Sequence, residues 1–313
     1  MSSSCSLELV ALSKLSDAYI RNLRPGDEAK FLEVQSETFR GLEYLPRVRI
    51  GLPGLIPEGS FIAEKNGTMV GCIGVIKLGH EGWFEIRNLA VRDPDPDLGG
   101  LARELLAKVL EYVDMQNPQY VKGYTHAVQP YVDLYKHAGF EPLRRIVRIG
   151  WDFPITYPVE QNMIETRGLT KDFADEAADV WVEGLRPYWD WWIEEEGGSK
   201  EIADWVKKSV TKDQGWIGAF LSGKLVGLSI LRPDSYGLGE ARFNGAYALP
   251  DFRGRGVGSA LMRATIQEAT RLKQKRMKIY TLAYLDHLAP GAILYLKSQG
   301  RIEAEYLQLQ KKN

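Results

Sequence analysis

The chain has 313 residues, 44% hydrophobic and 26% charged, which predicts a well-filled core, excludes wholesale disorder and, at roughly 100 to 200 residues per domain, points to two domains or one large one. Forty Lys and Arg stand against 41 Asp and Glu, a formal charge of -1, so no global basic field exists to hold nucleic acid or an anionic membrane. Four scattered histidines and two cysteines, Cys5 and Cys72, form neither a metal-ligand spacing nor a disulfide framework, so no metal is expected and a reducing cytoplasm fits.

The opening MSSSCSLELVALSKLSDAY lacks a basic start and its apolar stretch is broken by Ser and Lys, so neither a signal peptide nor secretion is expected. No run approaches the roughly 18 apolar residues of a membrane span. The first predicted strand is YIRNL from Tyr19, followed by the helix-period segment DEAKFLEVQSETF with Asp27 where an N-cap is wanted. Residues 60–76, SFIAEKNGTMVGCIGVI, read as a β-hairpin closed by Asn66-Gly67. A strand carrying Glu85, the loop VRDPDPDLGGLA and the helix LARELLAKVLEYV come next. This half closes with a short helix, PYVDLYKHAGF, and a strand, EPLRRIVRIGWDF.

FPITYPVEQN, with two prolines and no periodicity, reads as a linker, giving domains 1–153 and 163–313 joined by residues 154–162. Beyond it the same grammar returns: MIETRGL, DFADEAADVWVEGL with Asp172 again where an N-cap is wanted, and a second hairpin, GWIGAFLSGKLVGLSIL, turning at Ser222-Gly223. An offset of about 156 residues carries Gly100 onto Gly256, each opening a helical segment. GAILYLKSQGR and IEAEYLQLQ then repeat the closing helix and strand. A tandem duplication accounts for this order, and each half is expected to be an α/β unit with a mixed, mostly antiparallel sheet flanked by helices.

The most informative stretch is NGAYALPDFRGRGVGSALMRATIQEA, residues 244–269. A strand ends at Ala248, Pro250 turns the chain, and Arg253, Gly254, Arg255, Gly256, Val257, Gly258 and Ser259 lead into a helix. Glycines let backbone amides converge on an anion, and a helix N-terminus adds its positive end. No Lys-Ser/Thr follows, so this is not a P-loop, and G-x-G-x-G differs from the dinucleotide fingerprint.

These residues resemble the pyrophosphate loop of the GNAT superfamily of acyl-CoA-dependent N-acyltransferases, Gln/Arg-x-x-Gly-x-Gly/Ala, matched by Arg253, Gly256 and Gly258. A second motif of that family, Ala-x-x-Leu-Tyr-x-x-x-Gly-Phe, is matched by Leu134, Tyr135, Gly139 and Phe140. The resemblance covers nearly all of both halves, in a tandem layout similar to that of mycothiol synthase. It implies acetyl-CoA as acyl donor, held by the Arg253–Ser259 loop of the C-terminal half, with Ala246, Tyr247 and Ala248 lining its acyl end. It further implies transfer to a primary amine of a small molecule or peptide.

In the first half Gly100 and Ala102 fit the loop, but Asp97 replaces its Gln or Arg and Asp93 and Asp95 crowd the approach, so weak or no CoA binding is expected there. In the second half, counting back from Gly300 puts Leu296 at the tyrosine position and Arg301 at the phenylalanine. Tyr295 is then one residue off, a turn of about 100° on a helix. An alkylamine with a pKa near 10.4 needs about 4.6 kcal/mol to lose its proton at pH 7, so a base is sought. Glu240, Asn244 through a water, and Glu85 are the candidates, with Tyr295 and Tyr135 as acids toward the leaving thiolate. The glutamates also read as solvated strand residues and both tyrosines as core residues. Trp189, Trp191 and Trp192 with Asp190 and Glu194, Glu195 and Glu196 suit a cationic acceptor, or equally pack helices while the acids face water. Two other readings are a non-catalytic CoA-binding module and an aminoacyl transferase using charged tRNA. The tRNA reading has only Arg271, Lys273, Lys275, Arg276 and Lys278 in its favour.

Overall fold

The computed structural model of the chain describes residues 18–92, 99–155, 163–210 and 215–311. Its first half runs β1 (Tyr19–Asn22), α1 (Glu28–Thr38), α2 (Leu45–Gly51), β2 (Phe61–Lys65), β3 (Thr68–Lys77), β4 (Trp83–Val91), α3 (Gly99–Met115), β5 (Tyr120–His126), α4 (Gln129–His137) and β6 (Phe140–Asp152). The second half repeats the plan with one more helix before its hairpin: β7 (Glu165–Gly168), α5 (Ala174–Leu185), α6 (Asp190–Glu195), α7 (Ser199–Val210), β8 (Trp216–Leu221), β9 (Lys224–Arg232), β10 (Glu240–Ala248), α8 (Val257–Arg271), β11 (Arg276–Ala283), α9 (Pro290–Lys297) and β12 (Arg301–Lys311).

Both expected hairpins form on left-handed turn pairs, Asn66 and Gly67 at φ 52° and 76°, Ser222 and Gly223 at 51° and 78°. Two consecutive positive φ values match the twist of the flanking strands. The expected helix caps do not form. Asp27 stands at the N-cap of α1, but its carboxylate takes the Arg21 guanidinium at 2.8 Å and the Arg24 amide. Asp172 lies in a 3-10 turn ahead of α5, whose cap position falls to Phe173.

A single twelve-stranded sheet contains both halves, in the order β1-β2-β3-β4-β5-β12-β6-β11-β10-β9-β8-β7. Only the β4/β5 and β10/β11 pairs are parallel. The two closing strands are exchanged: β12 lies between β5 and β6, and β6 between β12 and β11. They pair antiparallel along their length, from Arg301 opposite Gly150 to Lys311 opposite Phe140. The cores follow the strands. Val147, Ile149 and Trp151 of β6 pack with Phe243, Met262 and Tyr295 of the second half. Leu307 and Leu309 of β12 join the first-half core around Phe31 and Ile73.

Candidate active site

Each half opens a notch in the sheet at the same place. Parallel pairing of β4 with β5 ends at Ile86 and Gly123, and that of β10 with β11 ends at Arg242 and Lys278. Beyond these pairs a bulge bends the strand, with Asn88 at φ 59° in β4 and Gly245 at φ 114° in β10. A Cβ on Gly245 would stand 2.5 Å from the Tyr247 ring, so only glycine permits the second bend.

Tyr295 fills the mouth of the second notch. Its hydroxyl accepts the Ala246 N–H at 3.1 Å. Burial pushes the phenol up to about 12, against a smaller opposing effect of the Ala246 amide, so it stays neutral near pH 7 with its own proton left to donate. This corrects the register read from Gly300. The left-handed residue closing α9 is Gln299 at φ 66°, and its counterpart after α4 is Gly139 at φ 86°. Gly300 is an extra residue. Counted from the helix C-caps, Ser298 and Ala138, Tyr295 and Tyr135 occupy the same helical position.

The glycine loop lies beside this notch. Gly254 and Gly256 adopt φ values of 74° and 86°, and Gly256 is the N-cap of α8 with no side chain capping the helix. The first-turn amides of Val257, Gly258 and Ser259 therefore lie outside the helix ladder. A Cβ on Gly254 would meet no atom within 4 Å, and one on Gly256 only Ile164 Cδ1 at 3.8 Å. An open concavity of amides at the positive end of α8 fits an acyl-CoA pyrophosphate. Val257 is buried, and Gly258 lets α8 approach Leu294 of α9, where a Cβ would come within 2.9 Å. Arg253 is turned inward: its guanidinium donates to the carbonyls of Ala248 at 3.3 Å, Gly184 at 3.1 Å and Arg186, tying the loop to the end of α5. Arg255 is the exposed cation of the loop.

A cavity of about 680 Å³ lies where the halves meet, walled by Asn244 and Tyr247 of β10, by Trp189, Trp191 and Trp192, and by Arg47, Glu85 and Lys122 of the first half. Trp189 and Trp191 stack with ring centroids 5.4 Å apart. The expected acidic rim is largely neutralised. Asp190 faces Arg186 at 3.5 Å, Glu194 faces His80 at 3.3 Å, and buried Glu195 holds Lys122 at 2.5 Å. Glu196 remains in the cavity wall with part of its surface in solvent, and desolvation by the surrounding wall raises its pKa.

The other carboxylates expected as bases are not poised for that work. Burial alone would raise Glu85, but Arg87 and Lys122 overcome it and hold the carboxyl at about 2, too weak a base for an ammonium proton. Glu240 begins β10, six residues before Ala246, where it accepts from Tyr44 and pairs with Arg276 at 3.4 Å. At about 3.3 Å per residue it stands well away from the notch. Asn244 does reach the cavity, and its buried Oδ1 has no hydrogen-bond partner among the described residues.

The model of the Acetyltransferase (GNAT) family matches the chain twice, over residues 29–140 and 172–293. This chain belongs to the GNAT family, as a tandem member. No curated protein matches it in sequence at a significant level. Its fold is similar to that of a GCN5-related N-acetyltransferase from Sphaerobacter thermophilus, at 17% identity and a TM-score of 0.74, covering 95% of this chain and 96% of the other. A GCN5-related glucosamine N-acetyltransferase region of a fungal multi-domain GH3 β-N-acetylglucosaminidase aligns at 13% identity and a TM-score of 0.70, over 96% of this chain and 38% of that one. A tandem GNAT protein from the clavulanic acid biosynthesis pathway aligns at 12% identity and a TM-score of 0.61, over 94% and 98%.

The two GNAT repeats differ at their notches. Tyr135 is wholly buried against Phe140, and its hydroxyl has no hydrogen-bond partner among the described residues. The Val91 amide meets Tyr131 Oη instead, at 3.3 Å, and Gln35 donates to the Asn88 carbonyl at 2.6 Å. Asp93, Asp95 and Asp97 of the first loop, like Cys5, lie outside the described residues. Of the basic residues from the end of α8 onward, Arg271 pairs with Glu268 at 2.7 Å, Arg276 with Asp152 at 3.0 Å, and buried Lys278 with Glu303 at 2.6 Å. Among the described residues no three His, Cys, Asp or Glu side chains gather as a metal site, and no helix is long and apolar enough to cross a membrane.

Proposed function

We propose that the chain is an N-acetyltransferase that takes the acyl group from acetyl-CoA held by the second half and delivers it to a primary amine in the shared cavity. The observation that carries this reading is Tyr295 Oη on the Ala246 N–H, at the notch beside the open Gly254–Ser259 loop. Acetyl-CoA supplies a thioester carbonyl as electrophile. The amides of Gly256, Val257, Gly258 and Ser259 hold the pyrophosphate and Arg255 adds charge, while Arg253 positions the loop from behind. Ala246, Tyr247 and Ala248 line the acyl end. The amine nitrogen forms the C–N bond as the C–S bond breaks. One ammonium proton passes to Glu196 before attack, directly or through water held by Asn244; Tyr295 then gives its proton to the departing sulfur, and the second nitrogen proton, released as the amide forms, restores the phenol. A thiol pKa near 8.5 makes the tyrosine's help useful rather than obligatory.

The ion-paired Glu85, the distant Glu240 and the unpartnered Tyr135 are left to structural roles. Because desolvation in the cavity wall raises the Glu196 pKa, kcat/KM rises with pH as Glu196 ionises, and Glu196→Gln removes that acid limb. Thiol release from acetyl-CoA across a panel of primary amines tests the whole reading. Acetyl-CoA binding without thiol release on any amine would replace it with a non-catalytic CoA-binding module.

A further inference from the structure

The cavity holds two cations for which no carboxylate of the described residues stands at ion-pair distance. Arg47 comes from α2 of the first half and Arg242 from β10 of the second, and both also wall an adjoining cavity of about 250 Å³. Glu196 of the same wall acts on Arg242 without reaching ion-pair distance, and other cations nearby have acids of their own. Arg87 and Lys122 share Glu85, Lys122 also takes Glu195, and His126 takes Glu43 at 2.8 Å. The Arg47 guanidinium lies 3.5 Å from the centroid of the Tyr280 ring and donates to Tyr124 Oη at 3.4 Å, contacts that orient its fork without neutralising it. Among the described residues, no side-chain hydrogen bond or ion pair engages the Arg242 guanidinium. Its side chain stands exposed at the cavity rim, and desolvation by the surrounding groups lowers its pKa, helped by the Arg47 charge and opposed by Tyr236 and Glu196. The two guanidiniums face one open cavity, Arg47 from its partly buried wall and Arg242 from its solvent-exposed rim, and they repel each other, which an oxyanion seated between them would reverse.

We propose that the acceptor is an amine that also carries an oxyanion, a carboxylate or a phosphate, held jointly by Arg47 and Arg242. The stacked indoles of Trp189 and Trp191 cover the body of such a molecule, and Asn244 and Glu196, in the same cavity, receive its amino end. This substrate class rests on the acyl-transfer reading above. It replaces the plain cationic acceptor expected from the tryptophans and acids of residues 189–196. It also gives the first half a direct part in the reaction, because Arg47 belongs to it.

The test uses matched amines with and without the oxyanion: phenylalanine against 2-phenylethylamine for carboxylate, and phosphoethanolamine against ethanolamine for phosphate. Thiol release from acetyl-CoA is followed with the wild type, Arg47→Gln, Arg242→Gln and Arg242→Lys. In at least one pair the anionic member shows a kcat/KM at least about ten-fold above its partner, and which pair responds tells carboxylate from phosphate. Arg242→Gln raises KM for that member about ten-fold more than for its partner, and Arg242→Lys restores part of the loss. Equal or better use of the partner amines, or equal losses on both, would overturn the proposal. A second arm needs no chemistry: phenylacetate, phenyl phosphate and benzyl alcohol are titrated against tryptophan fluorescence. Saturable quenching by one of the anions in the wild type, lost in Arg242→Gln, upholds the anion site even if no amine is acetylated, in which case the acyl-transfer reading alone fails. Absence of anion binding by the folded wild type sinks the site.

Discussion

Tyr295 and Tyr135 stand three residues before a helix C-cap in their respective halves, yet only Tyr295 finds a partner for its hydroxyl. Tyr295→Phe removes the phenolic proton and leaves the Ala246 amide unpaired, so kcat on acetyl-CoA should fall about 10- to 100-fold, with a stability loss of about 1–3 kcal/mol by urea denaturation. Tyr135→Phe deletes a buried hydroxyl without a partner and should leave kcat unchanged with stability equal or higher. Similar losses of kcat in the two variants would sink the distinction. Glu85→Gln separates base from structural ion: it should cost about 3–5 kcal/mol in unfolding free energy, because Lys122 and Arg87 lose a buried partner, while the shape of the pH–rate profile stays fixed. At this scale the sequence was a partial guide. Glycine is the usual sign of a left-handed helix end, so Gly300 attracts the register count, whereas Gln299 in that conformation carries no such sign. Glu195 and Glu196 are adjacent acids in the chain, and only the fold reveals that one meets Lys122 and the other the cavity.

Among the elements, the hairpins were legible because their information is local: two turn residues between β-rich runs fix the pairing. Ser222 is the weaker turn residue, held at φ 51° where Asn66 serves its twin. Ser222→Asn should stabilise the chain by a few tenths to about 1 kcal/mol, read as a higher Tm, and a lower Tm would contradict the turn assignment. The Gly254–Ser259 loop was legible for the same reason, since glycine spacing reports the positive φ that the backbone adopts. The caps were not. Asp27 is recruited by Arg21 of the neighbouring strand, a contact that helix propensity does not encode.

For the molecule as a whole, the tandem repeat could be read from the chain and the strand exchange could not. Periodicity places a strand at residues 141–153 and another at 302–310, but their partners lie across the repeat boundary, a long-range choice without a period. We propose that residues 154–162 divide the repeats without dividing the folding unit. Unfolding in urea should then be a single transition, coincident by tryptophan fluorescence and circular dichroism, and residues 163–313 alone should not fold, lacking the strand between β11 and β12. Two separated transitions, or a folded isolated half, would contradict this. Which half holds the cofactor is the central claim, and calorimetric titration of acetyl-CoA into the wild type, Gly256→Asp and Gly100→Asp tests it most directly. The account predicts micromolar binding to the wild type and to Gly100→Asp and its loss in Gly256→Asp, where a carboxylate would enter the cradle with Ile164 Cδ1 at 3.8 Å as the nearest atom and a backbone cost of about 1–2 kcal/mol for the left-handed φ of 86°, so the Tm of each variant is measured beside its binding. Loss in Gly100→Asp instead, or no binding to the wild type, would contradict it.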